Sequence, residues 1–232
     1  MAGSLQGQVA VVTGASGGLG THVVKALAAE GASVVGIDRA SKSLPPNDGV
    51  KRLAADLTDA TDVARVIGEV TSTMGRIDVL VHVLGGFAGG TSVADTDDAT
   101  WQKMMNLNLN AAFYVLRAVA PVMRKAERGR IIAIGSRQAV QPAANVGAYS
   151  ASKAALLSLV QTVALENKDK NIRANAILPG TMDTQANRAA MPKANFDKWV
   201  KPEHVADLVV MLASEAGGEI TGAAIPVYGQ DG

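Results

Sequence analysis

Six short apolar runs, rich in β-branched residues, recur along the chain at 8–13, 33–37, 79–84, 130–135, 172–178 and 224–227. Between them apolar side chains fall at helical spacing, as at Leu19, Val23 and Leu27 and again at Val63, Val66, Ile67 and Val70. Near-continuous apolar strands alternating with helices form a mostly parallel sheet covered on both faces. The expected class is therefore α/β, doubly wound, with its ligand crevice at the carboxyl ends of the strands. A chain of 232 residues, 48% hydrophobic, holds one substantial core, so residues 1–232 are expected to form a single domain.

Composition removes several functions. The 22 basic and 21 acidic residues are scattered along the chain, which gives no basic stripe for nucleic acid and no charge for a membrane surface. With no cysteine there is no disulfide, thiolate zinc site or thiol nucleophile, and no metal site is expected. No apolar run is long enough to span a bilayer, and residues 1–7 lack a targeting pattern, so a cytoplasmic protein is expected. Three irregular stretches follow strand ends: the turn-forming Ser41 to Val50, the glycine-rich Gly85 to Gly90, and a loop at about 180–202. A doubly wound sheet places all three on the ligand face.

After the first strand the chain runs Thr13-Gly14-Ala15-Ser16-Gly17-Gly18-Leu19-Gly20 and then turns helical. Glycines let the backbone approach a pyrophosphate, which the free amides and dipole of a helix N-terminus favour. Gly14, Ser16, Gly18, Leu19 and Gly20 are thus candidate cofactor contacts in a Rossmann-type unit. Asp38 ends the second strand, where such a unit needs a carboxylate for the adenosine ribose. A 2′-phosphate there would meet like charge, and Gly17 supplies no cation, although Arg39 is adjacent. NAD(H) is accordingly expected over NADP(H).

Tyr149 and Lys153 are four positions apart in a helical stretch and share one face. A phenol with an ordinary pKa near 10 becomes a base at neutral pH only beside cations, a lowering of about three units or roughly 4 kcal/mol. Ser136, at the end of the strand 130–135, adds a hydroxyl able to orient a carbonyl oxygen. With Asp56, Asn108, Pro179-Gly180 and Ile220-Thr221-Gly222, these residues form an ordered set along the whole chain. In this the chain resembles the classical short-chain dehydrogenases/reductases.

The resemblance implies hydride transfer between a nicotinamide and a ketone or secondary alcohol, performed by a tetrad. Tyr149 would be the acid or base, and Ser136 would orient the carbonyl. Lys153 would bind the nicotinamide ribose and depress the phenol's pKa, while Asn108 would hold a water connecting Lys153 to solvent. It also implies cofactor contacts at Asp56, Leu57, Leu84, Gly85, Met182 and Thr184. A homodimer or homotetramer is implied too, through helices around Trp101 to Met123 and Tyr149 to Lys168. Asn106 and Asn110 would be dispensable.

Two departures stand out. The family's Asn-Asn-Ala-Gly is here His82-Val83-Leu84-Gly85, and His82 is expected to be a hydrogen-bonded core residue. The following Gly86-Phe87-Ala88-Gly89-Gly90 is similar to the loop of quinonoid dihydropteridine reductases, which makes a dihydropterin the alternative substrate, although that branch generally lacks the serine. A non-catalytic dinucleotide sensor is the alternative from another class. Gln138, Met191, Phe196 and Trp199 are candidate pocket residues beside Phe87.

Overall fold

The structure is a computed structural model that describes residues 3–39 and 50–230; the turn expected at 41–49 lies outside the described residues. Seven strands, β1 (Val9–Thr13), β2 (Ser33–Asp38), β3 (Val50–Ala54), β4 (Val79–His82), β5 (Gly129–Ile134), β6 (Ile172–Pro179) and β7 (Ala224–Val227), form one sheet. Its order is β3-β2-β1-β4-β5-β6-β7 and every pairing is parallel. The strand order reverses between β1 and β4, so the crevice of the doubly wound fold opens beyond Thr13 and His82, which are register partners.

Alternation along each strand divides the core in two. Val11, Leu80 and Ile131 point to one face, where they meet α2 (Ala60–Met74), α4 (Ala111–Ala126) and α5 (Gly147–Glu166). Val12, Val81 and Ile132 point to the other, against α1 (Gly20–Ala29) and α7 (Pro202–Ala213). All six strand side chains are buried.

β3 is the strand that periodicity did not reveal. Lys51 and Arg52 interrupt its apolar pattern, and it lies at the sheet edge, where charge discourages pairing with another chain. The predicted helix around Trp101 to Met123 is also divided. α3 (Asp98–Met105) passes through a π-helical turn, Asn106–Asn110, into α4. Among the described residues, no helix is long and apolar enough to cross a membrane.

Candidate active site at the carboxyl edge of the sheet

The glycine turn after β1 is backbone packed against backbone. Gly14 has φ 66°, and a Cβ on it would lie 2.9 Å from the amide nitrogen of Leu84. A Cβ on Gly18 would lie 2.9 Å from the methyl of Thr184, which brings the loop after β6 onto the turn. α1 then starts at Gly20 with Leu19 as N-cap and no side-chain cap, leaving its dipole directed at the crevice. At the far end Asp38 Oδ2 accepts hydrogen bonds from the Ser16 amide at 2.5 Å and the Ser16 hydroxyl at 2.7 Å.

Beside this turn lies a cleft of about 150 Å³ lined by Gly14, Asp38, Arg39, Asp56, Leu57, Leu84 and Gly85 among others. It brings together six of the candidate cofactor residues from four separate segments. The hydroxyl and amide of Thr58 hold the Asp56 carboxyl below the usual range, and the charge of Arg39 acts in the same direction. An uncapped helix, a glycine-rich turn and the carboxylates of Asp38 and Asp56 fit a dinucleotide.

Ser136, Tyr149, Lys153 and Asn108 converge at the next strand ends. Ser136, buried just beyond β5, accepts from the Gln138 amide at 3.2 Å, and its hydroxyl acts to lower the pKa of the Tyr149 phenol. Lys153, one turn along α5, is buried and donates to the Ile134 carbonyl at 2.9 Å. Burial lowers its pKa to about 8. A Cβ on Gly85 would stand 3.0 Å from both Lys153 Nζ and Asn108 Oδ1, so glycine leaves the room in which these two groups approach the cleft.

Burial dominates at Tyr149 and pushes the phenol's pKa up, opposed by the Ser136 hydroxyl. The Asn108 carboxamide is taken up inside the protein. Oδ1 accepts from the Gly86 amide at 2.9 Å, and Nδ2 donates to the Gly86 carbonyl at 3.1 Å and to Ser152 Oγ at 3.0 Å. The side chain thus ties the glycine loop to α5. Asn106 and Asn110 pair with each other at 2.8 Å on the exposed side.

His82 is buried, with Nδ1 3.0 Å from Thr13 Oγ1, as expected of a core histidine. Burial, and secondarily the charge of Lys153, lowers its pKa to about 3. Trp199, a candidate lining residue, is instead buried, with its ring 4.8 Å from that of Phe196, which in turn faces Arg188. Met191 is exposed and Gln138 half-buried.

Sequence reasoning missed Ser152 and Asp183. Asp183 takes Arg188 and Lys201 on its two oxygens and ties down the segment bearing Thr184 and α6 (Gln185–Ala190). The Met182 carbonyl beside it accepts from the Thr184 amide and from Asn187 Nδ2. Neither residue lies in a motif, and only the fold brings their partners near.

A larger cleft, about 450 Å³, lies at the opposite edge among Gln6, Arg76, Asp78, Arg128 and Arg130 and contains none of the candidate residues. The chemistry is better placed at the smaller cleft, where a helix N-terminus and the strand carboxyl ends meet.

The family model described as short chain dehydrogenase matches residues 8–195. The short-chain dehydrogenase/reductase olcF of Penicillium canescens is 34% identical, over 98% of this chain and 97% of its own length. The 3-oxoacyl-[acyl-carrier-protein] reductase of Thermotoga maritima is 30% identical, over 97% and 98%. A solved short-chain type dehydrogenase/reductase from Mycobacterium ulcerans aligns with a TM-score of 0.90 at 29% identity, covering 97% of this chain and 90% of that one. With fold and likeness running along nearly its whole length, the chain belongs to the short-chain dehydrogenase/reductase family.

Proposed function

We propose that the protein is an NAD(H)-dependent oxidoreductase that interconverts a ketone and a secondary alcohol, with Tyr149 as its proton donor and acceptor. The observation that carries this reading is the convergence of Ser136, at the carboxyl end of β5, with Tyr149 and Lys153 on α5, whose buried ammonium reaches Gly85 at the edge of the cleft. Held at that cleft, a reduced nicotinamide would supply the hydride that a carbonyl carbon accepts.

The chain's own residues manage the proton. Burial keeps the Tyr149 phenol protonated, the form required to give a proton to a carbonyl oxygen. Ser136 donates to the same oxygen and aligns it. Lys153 is held by Ile134 beside Gly85, where its ammonium reaches a ribose hydroxyl and favours the phenolate left behind. Asn108 positions the loop at Gly86 and, as the resemblance implies, would hold a water leading to Lys153. Gly14, Ser16, Gly18, Leu19 and Gly20 would cradle the pyrophosphate, Asp38 the adenosine ribose, and Asp56 and Leu57 the adenine. Leu84, Gly85, Met182 and Thr184 would bound the nicotinamide half.

Asp38, fixed by Ser16 and backed by Asp56, repels a 2′-phosphate, while the charge of Arg39 acts on Asp56. This favours NAD(H). The Ser136–Tyr149 pair also places a simple carbonyl ahead of a quinonoid dihydropterin. Initial rates with NADH and NADPH over a ketone panel, alongside a quinonoid dihydropterin, test the reading. NADH is expected to win, and Tyr149→Phe should lower kcat by about 10²-fold or more while NADH binding is retained. A Tyr149→Phe enzyme with near-normal turnover overturns the assignment. Tight dinucleotide binding with no hydride transfer would identify a sensor.

A further inference from the structure

We propose that Phe87 is a specificity-determining residue that selects carbonyl substrates bearing a flat ring next to the reacting carbon. This rests on the reductase reading above. Phe87 is 65% exposed, yet its ring is not loose: it meets the Tyr149 ring edge to face, with centroids 5.0 Å apart and planes at 72°. Both flanks of its loop are clamped. Gly86 is bound through its amide and carbonyl to Asn108, and a Cβ on it would lie 2.5 Å from Leu107 Cδ2. Gly90 donates to the Asn145 carbonyl at 2.8 Å, and a Cβ on Gly89 would lie 2.8 Å from Val146 and 2.9 Å from Phe87 itself.

The loop's glycines therefore hold a large apolar ring in the open, against the residue that handles the proton. A fixed aromatic surface at that place costs exposure in the free enzyme and is regained only when a ligand covers it. Val93 is likewise exposed and lies against Gly147, two residues before Tyr149, where a Cβ would come 2.8 Å from Val93 Cγ2. One ring contact leaves most of Phe87 free, and aromatic pairs add attraction beyond area burial that a flexible alkyl chain lacks, about tenfold in affinity.

The test compares acetophenone, cyclohexyl methyl ketone and 2-octanone, methyl ketones of equal carbon count, as oxidants of NADH. Wild type, Phe87→Ala and Phe87→Trp enzymes are assayed in parallel. Since the ketones differ in intrinsic reactivity, the quantity read is the change in their kcat/KM ratios between variants. Phe87→Ala should lower the acetophenone to 2-octanone ratio about tenfold, mainly through KM. Phe87→Trp should retain it, and NADH dissociation constants should be unchanged. The cyclohexyl ketone should behave like 2-octanone. A ratio that survives Phe87→Ala overturns the proposal. Calorimetric binding of acetophenone to the enzyme–NADH complex gives a second readout: weaker binding in Phe87→Ala supports the proposal and equal binding overturns it. If no ketone oxidises NADH, the reductase reading fails while the binding arm still decides the role of Phe87.

Discussion

At the scale of single residues, His82 shows what one substitution in a motif does to a core. It stands where the resemblance expects asparagine, bonded through Nδ1 to Thr13 and buried beside the charge of Lys153. Its pKa of about 3 in the folded protein lies below the ordinary 6.5, so the unfolded chain binds an extra proton between those values. The contribution is complete above about pH 6.5 and is lost as pH falls toward 3, at roughly 1.4 kcal/mol per pH unit. Urea midpoints measured from neutral pH down to about 4 should fall less steeply in His82→Asn than in the wild type. Equal slopes would show that His82 is not buried as neutral imidazole. The glycine turn, Asp38, Ser136, Tyr149 and Lys153 were legible in the sequence because each chemical group comes with characteristic spacing. The direction of the Tyr149 shift was not, because it depends on how much water the folded phenol retains.

Elements bring in what spacing omits. Thr184 was identified from the resemblance alone, and the structure adds the mechanism that places it: Asp183 bonded to Arg188 and Lys201, a parallel bridge between Met182 and Val200, and the Thr184 methyl against Gly18. Asp183→Asn should loosen this segment, raising KM for NADH severalfold while leaving kcat within about twofold, since uniform binding is lost and the reacting groups are untouched. Steady-state kinetics with saturating ketone decide it. The interior strands were readable as apolar runs because both faces of the sheet are covered. β3 was not, since Lys51 and Arg52 break its apolar pattern. The π-helical turn was also invisible, because Trp101, Met104 and Asn108 carry no signature of a widened turn.

For the whole molecule, large apolar side chains remain uncovered on consecutive helices: Trp101 on α3, Phe113 on α4 and Leu165 on α5. We propose that these side chains are covered in a homodimer or homotetramer, the assembly that the resemblance implies. Light scattering should find a mass that is a multiple of 23.8 kDa, and Phe113→Asp with Leu165→Asp should reduce it. A monomeric wild type would refute this. The alternation of strands and helices was legible apart from β3; which surfaces stay uncovered required the packing. At the amino edge of the sheet, buried Asp78 accepts from the Val9 amide and binds Arg76 and Arg128. It joins β1 to β4, the pair flanking the crevice, about a strand length of some 13 Å from their carboxyl ends. Durability and reactivity thus occupy opposite rims of one sheet, so an engineer can reinforce the first at Asp78 and its arginines while leaving the second as it is.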